Sequence, residues 1–252
     1  MIKLFRHIRQ NLIMENKTSK YFKYAIGEII LVVIGILIAL QINNWNEKRI
    51  TRVKEVEILK DFQKGLQFDI HQIDSIFLQY HRAEVSINKI LNHFEKDLPY
   101  SDSLDYNFFN TTLIFDAGGL TDGVYQTLKT SGFDLISNKE IRDMIVLVYD
   151  EFNTWMLSWE QRYIDGIFDA KRNLFNSRFM DSWKGDYKLP IEIGTMKPLN
   201  YEQLKKDDQF KYFLRTQLND LGWLIYKPTE KTQIECKKLL KLIEIELGSI
   251  DK

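Results

Sequence analysis

Three histidines fall close together in the sequence, and two of them have a carboxylate three residues on: His71 with Asp74, and His81 with Glu84. On a helix, residues three apart share a face, so each pair could offer two ligands to one metal ion. His71 and His81 lie ten residues apart, about 15 Å along a helix, too far to share an ion. No matching ligand pair shows elsewhere, so the residues predict polar-face side chains and no metal site. The segment FDAGGLTDG lacks the GK[ST] ending of a phosphate loop and follows no strand pattern, so it reads as a loop leading into a helix. Neither GxSxG nor HExxH occurs. Trp155, Trp159 and Tyr163 form a stripe four residues apart, with Trp183 and Tyr187 following. Such a stripe can line a pocket, but its simpler role is core. Cys236, the one cysteine, sits on an apolar face and reads as a packed thiol. The sequence therefore calls for no catalytic residue and no cofactor.

The elements that would carry these residues begin with an apolar run. Ile29 to Leu40 holds twelve residues without a polar side chain. Counted from Tyr24 to Ile42 the run has nineteen residues, broken by Glu28 and Gln41. It would rise about 28 Å as a helix, close to the thickness of bilayer hydrocarbon. Tyr24 at one end and Trp45 at the other suit the membrane interface. A signal peptide fits less well, because the basic stretch ahead is long and no small-x-small cleavage site follows. Glu28 lies about one turn inside the boundary, near the positive end of the helix dipole. It reads as an interfacial acid or as a polar contact with a partner helix. Gly27, Gly35 and Ala39 share one face, and small residues let two spans approach closely. The expected partners are thus the lipid bilayer and, through this helix, a second copy or another membrane protein.

Charge sets the orientation. The chain carries 35 Lys/Arg and 35 Asp/Glu, but six of the basic and one of the acidic residues precede residue 24. The mildly acidic remainder gives no support for nucleic-acid binding. Six Lys/Arg before the run, against five in the twenty residues after it, favour a cytoplasmic N-terminus and an exported body.

The run YAIGEIILVVIGILIALQINNWNE, following the basic stretch MIKLFRHIRQNL, resembles a family of small single-pass membrane proteins from Bacteroidota, known as domain of unknown function 6090. TLKTSGFDLISNKEIRDMIVLVYDEF and the closing LLKLIEIEL also resemble it, more loosely. The resemblance implies a bacterial membrane protein, and it assigns no catalytic residues.

The expected fold is mostly α: one N-terminal transmembrane helix followed by an elongated antiparallel helical bundle. The boundaries expected are a basic cytoplasmic tail at 1–23, the span at 24–43, a charged stalk at 44–58 and the bundle at 59–252. Leu59, Leu66, Ile73, Tyr80, Ile87 and Phe94 repeat every seven residues. Phe62, Ile76, Ala83 and Ile90 fill a second seam position, at which Asp69 is the one polar break. Ile70, Phe77 and Leu91 add a third apolar position, which favours a bundle over a two-stranded coiled coil. A polar loop, YSDSLDYN, should follow Leu98-Pro99. A short helix near Gly123–Thr130 should start at Thr121 or Asp122 and end at a left-handed Gly132. Ser137-Asn138-Lys139-Glu140 reads as a capping box opening a second long helix to about Phe179. That helix should pack antiparallel to the first. A loop over 181–200 with a short strand at Pro190–Ile193 comes next. Helix then resumes at Tyr201, Pro228 kinks or restarts it, and the last helix buries Cys236, Leu239, Leu240, Ile243 and Leu247. The leading function is a non-catalytic, membrane-anchored interaction or sensory module at the bacterial inner membrane, with a periplasmic body. An envelope enzyme with an unrecognised, metal-dependent site is the alternative, and a structural spacer is a third reading.

Overall fold

Few prolines and sustained apolar periodicity leave this chain little choice but helix. The computed structural model describes residues 18–113, 118–181, 188 and 194–250, with side chains from residue 26, and helix dominates it. The chain divides into two compact units, Met1–Glu55 and Val56–Lys252. Helix α1, Thr18–Glu95, contributes residues to both. In the first unit its apolar run is exposed on every face: the large side chains from Ile29 to Leu40 are 46–64 % accessible.

In the second unit α1 carries the three-position seam. Leu59, Phe62, Leu66, Ile73, Ile76, Ala83, Ile87, Ile90, Leu91 and Phe94 are buried, and so is Asp69. Val56 and Ile58 already pack against this core. α1 stops because Asp97 takes a positive φ of 50°, and the Leu98 N–H then closes on the His93 carbonyl at 3.0 Å. Lys205 holds this turn: its Nζ lies 2.5 Å from Asp97 and 2.9 Å from Glu202. The hydrogen bond and charge of Lys205 push the Asp97 carboxyl below its ordinary value of 3.8. A lowered carboxyl stabilises the fold above that value, and the gain is lost as pH falls through the folded one. The melting-temperature gap between the wild type and Lys205→Met should therefore narrow below pH 3.8. Thermal unfolding across the acid range checks this.

The segment YSDSLDYN, expected as a loop, is non-helical only to Asp102; from Ser103 on it is helical. α2, Ser103–Asn110, buries Leu104, Phe108 and Phe109, and the Leu104–Phe108 spacing of one turn is enough once a core is present to receive it. α3 spans Gly123–Ser131, with Asp122 at its N-cap and no side-chain cap bond. Gly132 follows at φ 97° and ψ 135°, a positive-φ extended conformation in place of the expected left-handed one. A single 3-10 turn covers Phe133–Leu135.

α4, Lys139–Val146, is capped by Asn138, one residue later than the capping box places it. The Asn138 Oδ1 accepts from the N–H groups of Glu140 and Ile141. A π turn over Leu147–Phe152 leads into α5, Asn153–Asn173, and a 3-10 turn at Phe175–Ser177 ends the run. The expected strand at Pro190–Ile193, with Trp183 and Tyr187, lies outside the described residues; Phe179 and Pro198 form an isolated antiparallel bridge. α6 is Tyr201–Leu204 and α7 is Asp208–Asp220, capped by Asp207. α8, Lys227–Ile250, follows a second π turn at Leu221–Tyr226. Of the two expectations for Pro228, a kink or a restart, the restart does not occur: the π turn runs directly into α8. A proline has no N–H and clashes with the carbonyl four residues back, and the wider π turn lies over that position.

The helices pack antiparallel, but with a different pairing from the one expected. Glu95 meets Arg215, Phe77 and Tyr80 meet the Tyr226 ring, and the Asp74 carboxylate accepts from Gln233. α1 is therefore antiparallel to α7–α8. α4–α5 is antiparallel to the same segment, through Asn138 with Glu246, the Phe152 carbonyl with Thr232, and Tyr163 with Gln217. It follows that α1 and α4–α5 run parallel: Phe62 meets Tyr149, while Phe94 and Phe175 both meet Phe210. The described residues between 96 and 138 make this possible by returning along the bundle. Asn110 bonds Ser86, Thr121 bonds Asp69 and Tyr125 stacks on Tyr149 at 4.9 Å.

Candidate functional site

The polar break in the α1 seam is the most unusual group in the bundle. Asp69 occupies a position where every other heptad places an apolar side chain, and it is only 4 % exposed. Its carboxylate faces the Gly118–Thr121 loop. The Thr121 N–H reaches both oxygens at 3.1 Å, and the Thr121 hydroxyl donates to Oδ1 at 2.6 Å. The loop is fixed from its other side by Asn153, whose Oδ1 accepts from the Leu120 N–H at 2.9 Å. Gly118 and Gly119 take φ of 61° and 73°, and a Cβ at Gly119 would come within 3.2 Å of Leu157 and 3.3 Å of Asn153. Between loop and helix lies a cavity of about 260 Å³, lined by Phe68, Asp69, Gln72, Ile73, Ile76, the loop itself and Met156.

Burial pushes the Asp69 carboxyl up from its ordinary 3.8, against the opposing pull of the Thr121 bonds. Tyr149 and Cys236 stand close to it. Burial first, and the Asp69 charge second, raise the Tyr149 hydroxyl far above its usual value and the Cys236 thiol to about 12. Both stay neutral at physiological pH. Replacing Asp69 with Ala should lower the unfolding free energy by about 1–3 kcal/mol, the usual range for hydrogen bonds to a charged group. A raised carboxyl also means that the folded state holds its proton more readily. The contribution of Asp69 to stability should therefore fall as pH rises from 3.8 through the raised value, so wild type should lose stability relative to Asp69→Asn over that window. Urea titrations of both chains over that window check the sign.

The residues singled out from sequence fall elsewhere. His71 is exposed, and Asp74 turns to Gln233 at 2.7 Å. His81 lies 3.5 Å from Glu84, and both are open to solvent. Among the described residues no group of three His, Cys, Asp or Glu is placed to hold a metal. Of the aromatic stripe only Tyr163 is buried. It accepts from Gln217 and donates to the Leu113 carbonyl, tying α5, α7 and the returning segment together. Trp155 packs edge-on to Phe152, and Arg162 lies 4.6 Å over the Trp159 ring. Cys236 is fully buried.

Along the apolar part of α1, Gly27 and Gly35 have open space where a Cβ would stand, Ala39 is exposed and Glu28 is half-buried; Trp45, just beyond, is exposed. The side chain of Tyr24 lies outside the described residues. Sequence reasoning noted Asp69 as a break in the seam and missed its use. The signal was the break itself, since a carboxylate inside an apolar stripe must find donors.

No curated protein and no solved structure matches the chain. Residues 28–96, which hold most of the apolar run, the seam of α1 and Asp69, match a family described as a family of unknown function, DUF6090.

Proposed function

We propose that this chain is a single-pass, membrane-anchored helical module that acts by binding and by contact with partners, without catalysing a reaction. The observation that carries the reading is the exposure of Ile29–Leu40 on all faces of α1. One helix is long and apolar enough to cross a membrane, and side chains of this kind are at home in hydrocarbon. We place the N-terminus in the cytoplasm and the bundle in the periplasm of a bacterial cell, on the excess of Lys/Arg before the span. Gly27, Gly35 and Ala39 then form the face by which a second span approaches.

Full-length chain expressed in cells should stay with the membrane pellet through an alkaline carbonate wash. Its release into the supernatant would overturn the anchor. Alkaline phosphatase fused after Lys252 should be active, because that enzyme folds only outside the cytoplasm; an inactive fusion reverses the orientation. Gly35→Cys should crosslink to dimer under mild oxidation, and a purely monomeric product would remove the span–span contact.

A further inference from the structure

The cavity beside Asp69 has a chemistry that the anchor reading leaves unused. Asp69 is buried, yet all its hydrogen bonds come from Thr121, and no Lys, Arg or His among the described residues pairs with it. A buried carboxylate ordinarily sits against a cation. Its neighbours Tyr149 and Cys236 are neutral, and Asp122 close by is acidic, so among the described residues nothing nearby offsets the charge. A carboxylate can accept about four hydrogen bonds. Here Oδ2 accepts only a share of one N–H.

The rest of the cavity sets the shape of what would fit. Phe68 offers an aromatic face, Gln72 a carboxamide, and Ile73, Ile76 and Met156 apolar walls. The loop opposite is held by Asn153 and two positive-φ glycines, so the space is preformed. A single carboxylate suits a single positive charge. A divalent metal would want further charged ligands, and none is grouped here among the described residues.

We propose that this cavity binds a primary alkylammonium ion, with the ammonium donating to Asp69 and the short alkyl chain lying among Phe68, Ile73, Ile76 and Met156. An ammonium head supplies the missing charge and donors, and Phe68 adds a cation–π contact. A volume of about 260 Å³ accepts a chain of a few carbons. The inference rests on the reading of the bundle as a binding module and names its ligand class.

The test uses full-length chain in detergent micelles with 13C-methyl methionine, read by NMR. The Met156 signal is assigned by its loss in Met156→Leu. n-Butylammonium chloride at neutral pH should shift that signal saturably. n-Butanol, the same shape without charge, should bind at least about tenfold more weakly, as expected for a lost charge-assisted bond. Asp69→Asn should weaken butylammonium by about tenfold or more, and Phe68→Ala, at an exposed ring, by about threefold. If Asp69→Asn loses its dispersed methionine signals, Phe68→Ala and the butanol comparison decide. No saturable shift, equal binding of butanol, or binding unchanged in the variants would overturn the proposal. The two readings fail separately. Binding by a carbonate-extractable chain sinks the anchor and keeps the site, while firm anchoring with a silent Met156 does the reverse.

Discussion

A chain carrying Ile34→Arg and Leu37→Arg should leave the membrane fraction. Both side chains are about half exposed and lie near the middle of the apolar run. An arginine at the centre of a span costs about 2.5–3.5 kcal/mol on the insertion scale. Two therefore cost about 5–7 kcal/mol, and the lost Ile and Leu add about 1 more. Snorkelling relieves charges near the ends, but Ile34 stands one residue from the midpoint of Tyr24–Ile42 and Leu37 about one turn beyond it. Fractionation and carbonate washing of the double variant measure the outcome. Ile245→Arg, at an exposed position on α8, is the control and should fractionate as wild type. A double variant that still resists carbonate would show that something other than hydrocarbon holds the chain to the membrane.

Phe210→Ala should cost about 3–5 kcal/mol of stability, the range for deleting a buried aromatic ring. Phe210 is fully buried and lies at the hub of a ring cluster. Its centroid is 5.5 Å from Phe179, 5.9 Å from Phe175, and 6.3 Å each from Phe94, Phe108 and Phe213. These rings come from α1, α2, α7 and the turn after α5, so the cavity left behind would open toward several elements at once. Collapse around it would need them all to move, which places the cost at the upper end. Tyr212→Ala, two residues away and 71 % exposed, should change stability by less than about 0.5 kcal/mol. Denaturant unfolding of the full chain, followed by near-ultraviolet circular dichroism, measures both. A loss under about 1 kcal/mol at Phe210 would mean that the cluster is not packed as described.

Some of this architecture could be read directly from residue types. The apolar run was legible because nothing polar interrupts Ile29–Leu40, and the α1 seam because its positions repeat over five heptads. Both are local properties of one helix. Pairing is not. A seam records which side chains avoid water, and the same seam serves a parallel or an antiparallel neighbour equally well. The expectation that α4–α5 packs antiparallel to α1 assumed a short connection, whereas Asn110, Thr121 and Tyr125 pack successively back along the bundle, which reverses the direction. Likewise Asp69 was visible as an anomaly, but its partner Thr121 lies 52 residues on, and no spacing rule joins them. Gln217 was hidden for a similar reason: it is buried because Tyr163 and the Thr111 carbonyl are there to bond it. The first π turn moves the register by one residue: beyond it Met156, Glu160, Tyr163 and Ile167 are buried, while Trp155 and Trp159, one position earlier, are only partly so.

Part of the antiparallel partner of α1 is α8. Gln233 bonds to Asp74 and to the Ile70 carbonyl across separations of 159 and 163 residues. For an all-helical protein these closures are very long-range, and assembly should be slow for its class. During synthesis the bundle stays open until α8 has left the ribosome, long after the apolar run has emerged. A nascent chain halted before Lys227 would display its unsealed seam to chaperones and proteases. Quality control of this protein thus falls on Lys227–Ile250.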